Sequence, residues 1–181
     1  MVKDTPAVVT YASVVSREAV RIALTVAALN DLEVKASHVM NAFLTAPCAK
    51  EIWTTLDPEF RDNVGKKAII VRALYGLKSA GAIFDNHIAD CMRLLGYEPC
   101  RAYPDLWFKA QVCLYDRFEY YEYVLLYVDD SLAISHDATA ALDRMYKFFI
   151  MKKGSIGDPD IYLGAKLRKV QLDNGFFSPG T

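Results

Sequence analysis

The chain has 181 residues, 53% of them hydrophobic and 12% aromatic, with a formal net charge of −1. That apolar content excludes a disordered chain and suits one domain with a sizeable core. The near-neutral charge excludes a globally basic nucleic-acid coat, so any such contact must come from local groups. Candidates are Lys66-Lys67, Arg72, Lys78, Lys152-Lys153 and Arg168-Lys169, each of which alone reads equally as solvated surface.

No apolar run reaches the ~18 residues of a membrane span, and the first ten residues lack the apolar stretch of a signal peptide. Cys48, Cys91, Cys100 and Cys113 are not spaced as a zinc knuckle or a redox pair. A reducing, intracellular compartment is therefore expected.

In chain order, Ser16 suits an N-cap, and residues 17–29, rich in Ala, Val, Ile and Leu, predict a largely buried helix ended by Asn30-Asp31. Residues 32–40 alternate, with Leu32, Val34, Ala36, His38 and Met40 on one face, as a strand does. Residues 51–55 and 68–71 are short strand candidates on either side of a polar loop, 57–67. The turn at 74–81 leads into a helix with an apolar stripe at Phe84, Ile88, Cys91, Met92 and Leu95, closed by Gly96. Residues 106–109 predict a strand, and 118–128 with 132–135 a hairpin. Asp137 suits the cap of a helix reaching about Phe149, with Leu142, Met145 and Phe149 on its inner face. After a loop at 154–159, residues 162–172 look strand-like, and Asp173-Asn174-Gly175 is a hairpin turn signal whose partner strand the end at Thr181 is expected to cut off.

The run from Val124 to Ile134 stands out, because Asp129 and Asp130 interrupt an otherwise apolar, β-rich stretch. An unpaired carboxylate resists burial. The cost falls if the pair occupies an exposed hairpin tip. Two carboxylates held rigidly together repel each other and attract a hard divalent cation such as Mg²⁺ or Mn²⁺. An ordinary acidic turn explains the same residues, and the two readings stay open on this pattern alone.

Several blocks carry a family resemblance in the family's own order. Val39-Met40-Asn41-Ala42-Phe43-Leu44 resembles a first palm motif, and Ala73-Leu74-Tyr75-Gly76-Leu77-Lys78 reads "ALYGLK". Tyr103-Pro104-Asp105-Leu106-Trp107 is similar to an "ADPDLW" block, with Tyr103 in place of an aspartate. Tyr127-Val128-Asp129-Asp130 forms a "YVDD" box, and Tyr162-Leu163-Gly164-Ala165-Lys166-Leu167 resembles a primer-grip strand. Together they make the chain similar to the reverse transcriptase domain of copia-like LTR retrotransposons, over nearly its whole length.

The resemblance implies an α+β fold: a reverse-transcriptase-type palm, an antiparallel sheet carrying the YVDD hairpin with helices on one face, plus partial fingers. One domain is expected over residues 1–181, with the thumb and most of the fingers absent. The implied chemistry is two-metal nucleotidyl transfer with Mg²⁺ or Mn²⁺, on an RNA or DNA template-primer and a dNTP. Integrase and RNase H segments of a polyprotein are the implied partners, in a cytoplasmic particle or the nucleus, with no membrane role. Asp129 and Asp130 match the catalytic, metal-binding pair. Phe43, Gly76, Lys78, Tyr127 and Gly164 match positions near nucleotide or primer-template, although core packing or plain turns explain several of them as well.

One departure is consequential. The family's first-motif aspartate falls on His38, and Mg²⁺ binds imidazole poorly. Losing a bridging carboxylate should slow the reaction on the order of 10³-fold or more. His38 could instead recruit Mn²⁺ or Zn²⁺ with Asp129, or serve as a satisfied core histidine beside Val34 and Ala36. An inactive polymerase domain is therefore expected, and the competing reading is a non-catalytic nucleic-acid-binding or domesticated scaffold remnant. Metal ligands must share one cluster, so either metal reading places His38 beside the hairpin on an adjacent antiparallel strand.

Overall fold

Ser16 opens the first helix by cap chemistry: its Oγ accepts a hydrogen bond from the Ala19 N–H at 3.1 Å, starting α1 (Arg17–Leu29). A computed structural model describes residues 13–48, 51–115, 117–171 and 177–180; for Lys169, Gln171 and 177–180 it describes the backbone alone. The elements that follow are β1 (Glu33–His38), α2 (Ala42–Thr45), β2 (Trp53–Thr55), β3 (Lys67–Ile69), α3 (Ala80–Leu94) and β4 (Glu98–Pro99). Then come β5 (Leu106–Val112), β6 (Glu119–Tyr127), β7 (Asp130–Ser135), α4 (Ala138–Met145), β8 (Ile161–Tyr162), β9 (Ala165–Lys166), β10 (Arg168–Gln171) and β11 (Phe177–Gly180). They group into two compact units, one holding residues 41–88 and the other 13–40 with 89–181.

The second unit is built on a five-stranded antiparallel sheet in the order β1-β7-β6-β5-β4. Its register sets Ala36, Leu132, Leu125 and Leu106 side by side. That row meets the apolar stripe of α1, and Ala19, Val20, Ala23, Leu24 and Ala27 bury with Leu125, Leu132, Ile134 and Tyr162 in one core.

The opposite face carries Lys35, Ala133, Val124 and Trp107 in register. Here α4 begins at Asp137, whose Oδ1 accepts from the Ala140 N–H at 2.8 Å, and buries Leu142 and Met145. Arg144 of α4 and the Tyr97 hydroxyl both donate to Glu122, which is 2% exposed. The Ser135 hydroxyl donates to the other oxygen of Glu122 at 2.8 Å. Burial and then the neighbouring Glu122 charge push the Tyr97 hydroxyl well above the ordinary phenol range. The end of α3 reaches this side too, with the Arg93 guanidinium 5.6 Å from the Trp107 ring centroid. Helices thus cover both faces, which corrects the expectation of helices on one. The cause is β7 itself: Ser131 to Ser135 are all buried, so neither side of the strand suits water.

Other boundaries shift for local reasons. The helix predicted to Phe149 ends at Met145, yet turns continue, and the Phe149 N–H bonds the Met145 carbonyl at 3.0 Å, so Phe149 still buries. Met40, predicted to share a face with Leu32, Val34, Ala36 and His38, lies beyond β1 and is 41% exposed, since the chain turns at Asn41 with φ 52°. Residues 162–172 are not one strand. Leu163 and Gly164 both take positive φ, 50° and 76°, and fold β8 back onto β9 as a tight hairpin. The partner strand expected to be missing is β11, which pairs antiparallel with β10, Gln171 opposite Phe177. The turn signal at residues 173–175 lies outside the described residues.

In the first unit β2 and β3 pair antiparallel, with Trp53 opposite Ile69. Two contacts fasten the end of α2 to the segment after β3: Arg72 Nη1 donates to the Thr45 carbonyl at 2.8 Å, and the Ala73 N–H to the Ala46 carbonyl at 3.0 Å. Among the described residues no helix is long and apolar enough to cross a membrane.

Leu132 is 0% exposed at the centre of the α1 core. Leu132→Ala should lower unfolding free energy by about 2–5 kcal/mol, whereas Leu94→Ala, at 76% exposure, should stay within about 0.5 kcal/mol. Urea denaturation of both variants checks the difference.

Candidate metal centre

Strand register delivers the site. In β1 and β7 His38 lies directly opposite Asp130, and Asp130 lies opposite Tyr127 across the β6–β7 turn. Successive side chains alternate faces, so His38, Asp130 and Tyr127 share the face that Ala36 and Leu132 give to the core. Both Asp129 and Asp130 were expected at the hairpin tip. Only Asp129 occupies the turn, with Val128, while Asp130 is the first residue of β7. Val128 takes φ 54°, the positive value that the first position of a type II′ turn requires.

His38 Nδ1 stands 3.0 Å from Asp130 Oδ1, and Nε2 stands 3.6 Å from Asp129 Oδ2. One ligand atom from each residue lies within 4.8 Å of the others. The side chains are partly open to water, 38% exposed for His38, 32% for Asp129 and 48% for Asp130. His38 is therefore not a fully buried core histidine.

The backbone beneath is fixed from two sides. The Val39 N–H donates to the Asp129 carbonyl at 2.8 Å. On the free edge of β1, the Lys152 N–H donates to the His38 carbonyl at 2.8 Å, and the His38 N–H to Ser155 Oγ at 3.2 Å. The residues 150–157 that make these contacts carry no strand period, so they are not legible in the sequence.

Tyr162, the first residue of the block similar to a primer-grip strand, joins the core on this face. It is 4% exposed, and its hydroxyl finds no hydrogen-bond partner among the described residues. Burial, then the charges of Asp130 and Tyr127, push that hydroxyl well above the ordinary phenol range. On the other face, Ser37 and Ser131 are a buried cross-strand pair whose hydroxyls are likewise unpartnered among the described residues.

The remaining candidate residues fall in separate places. Gly164 sits in the β8–β9 turn, two residues after Tyr162, with φ 76°. In the other unit Phe43, half-buried in α2, stacks on Tyr75 at 4.8 Å and meets Phe84 edge-on at 6.0 Å. Its ring thus adjoins the turn that carries Gly76 (φ 95°) and the exposed Lys78.

Comparison with known proteins gives two findings. The family described as "Reverse transcriptase (RNA-dependent DNA polymerase)" matches residues 4–175. The chain is also similar to the "Retrovirus-related Pol polyprotein from transposon TNT 1-94" of Nicotiana tabacum, 32% identical over 132 residues. That match covers 70% of this chain and 9% of the polyprotein. No solved structure matches the chain.

A β-branched residue at positive φ stores strain of about 1–3 kcal/mol. Val128→Gly should therefore be neutral or stabilising by about 1 kcal/mol, while Val124→Gly, on the fully buried stretch of β6, should be strongly destabilising. Denaturant midpoints of the two variants measure this.

Proposed function

This chain belongs to the reverse transcriptase (RNA-dependent DNA polymerase) family, and on that premise we propose that it is a copia-like domain whose nucleotidyl-transfer step is disabled at His38. The observation that carries the reading is the position of that imidazole, 3.0 Å from one carboxylate of the pair and 3.6 Å from the other. In the proposed homology the five-stranded sheet with its hairpin is the palm, and the unit with β2 and β3 is part of the fingers.

The family implies divalent metal at the acidic pair. Mg²⁺ demands near-octahedral oxygen ligation and accepts imidazole poorly. Two carboxylates and one imidazole bring one negative charge fewer than three carboxylates, against the four positive charges of a magnesium pair. The residues present do not fit that pair.

The substrate-binding roles are proposed on the same homology. Phe43 is held by Tyr75 and Phe84 beside the turn of Gly76 and Lys78, an arrangement suited to packing against a nucleotide sugar and the template base. Tyr127, opposite Asp130, is proposed to meet a primer end, and the Gly164 turn in the β8–β9 hairpin to support it. A template-primer, a dNTP and the other segments of a Pol polyprotein are the partners this reading implies.

Primer extension on poly(A)–oligo(dT), with Mg²⁺ and separately with Mn²⁺, tests the proposal. The 181-residue chain should incorporate no nucleotide above background with either ion. Robust Mg²⁺-dependent extension by the unmodified chain would overturn it.

A further inference from the structure

The misfit with magnesium has a positive side. We propose that His38, Asp129 and Asp130 form a mononuclear site for a borderline transition-metal dication of the Zn²⁺ class. The proposal goes beyond the polymerase reading and does not depend on it.

Charge and donor type agree with such an ion. One neutral imidazole and two carboxylates neutralise one dication, and nitrogen with carboxylate oxygen is a donor set that Zn²⁺ and Co²⁺ accept readily. Three protein ligands with a fourth position open to water is the arrangement of an exchangeable zinc site, and the three side chains are all partly exposed. Zn–N and Zn–O bonds of about 2.0–2.1 Å imply ligand atoms about 3.3 Å apart in a tetrahedron. The ligand atoms here already lie within 4.8 Å of one another, so side-chain rotation closes the gap.

The scaffold is preorganised. Two ligands stand on adjacent paired strands, and the third in the tight turn between β6 and β7. The His38 backbone is bonded on both edges, to Val39–Asp129 on one side through its neighbour and to Lys152 and Ser155 on the other.

An independent observation points to the same place. The Tyr162 hydroxyl is a buried donor with no partner among the described residues, in the core on the face that carries Asp130. A buried hydroxyl of this kind is able to donate a hydrogen bond to a metal-bound carboxylate or water.

Co²⁺ reports the site without any need for activity. Titrated into the full chain, Co²⁺ should give visible d–d absorption of low-coordinate strength. Zn²⁺ should abolish it near one equivalent, and Mg²⁺ in large excess should not. His38→Gln, with the native circular dichroism spectrum, should weaken Co²⁺ at least about tenfold, as loss of a direct ligand should exceed outer-shell losses. Asp129→Asn, at the turn, gives the same test from the second ligand if His38→Gln does not fold. Absence of d–d absorption would overturn the proposal. So would unchanged Co²⁺ affinity in either folded variant, displacement by equimolar Mg²⁺, or a thiolate charge-transfer band placing the ion on a cysteine. Primer extension is blind to these outcomes, so the failure of this inference and the failure of the polymerase reading are separable.

Discussion

The register in which β7 lies between β1 and β6 is the constraint on which the rest depends. Side chains in a strand alternate with a period of two, so a slip of one residue would turn Leu132 and Ile134 away from α1 and bring Ser131 and Ala133 in. The row Ala36–Leu132–Leu125–Leu106 forbids that slip, because its apolar area is removed from water only in one register. The same register, read two residues further along β1 and two back along β7, sets His38 opposite Asp130. Hydrophobic burial at the middle of the sheet thereby determines the polar geometry at its end.

The other face is organised by a charge. Glu122 is almost fully buried, and Tyr97 before β4, Ser135 of β7 and Arg144 of α4 satisfy it. Removing one partner of such a pair is costlier than the pair's net worth, because the remaining charge is left in low dielectric. This cluster ties α4 and the segment after α3 to β6. Glu122 and Ser135 lie on the face opposite that of His38 and Asp130.

What the sequence made legible was mostly local. Ser16 and Asp137 announced their helices because cap chemistry acts within three residues. The β6–β7 hairpin was legible as an apolar run broken by two carboxylates, and the family resemblance placed His38 beside it. The contacts that cross the chain were not legible. Residues 150–157 join β1 and the residue after it through isolated bridges, Gly157 to Ala36 and Met151 to Val39, which need no periodicity. Leu163 at φ 50° gives no turn signal, since leucine is not a residue that favours positive φ. Glu122 reads as a solvent-facing strand residue until Tyr97 and Arg144, 25 and 22 residues away in sequence, are seen to meet it. Tyr162 was visible only as part of a block, and its burial against the Asp130 face depends on the tight β8–β9 turn.

On the proposed reading a reverse transcriptase domain keeps its core while losing its chemistry, because the core and the catalytic ligands answer to different demands. Packing in this chain needs Leu125, Leu132 and Ile134; a magnesium pair needs a third carboxylate, which His38 does not provide. The most direct measurement is isothermal titration of Mg²⁺ into the wild-type chain and into His38→Asp. The account predicts no saturable binding in the first and saturable binding in the second, with the same fold by circular dichroism. Equal Mg²⁺ affinity in the two proteins would contradict it.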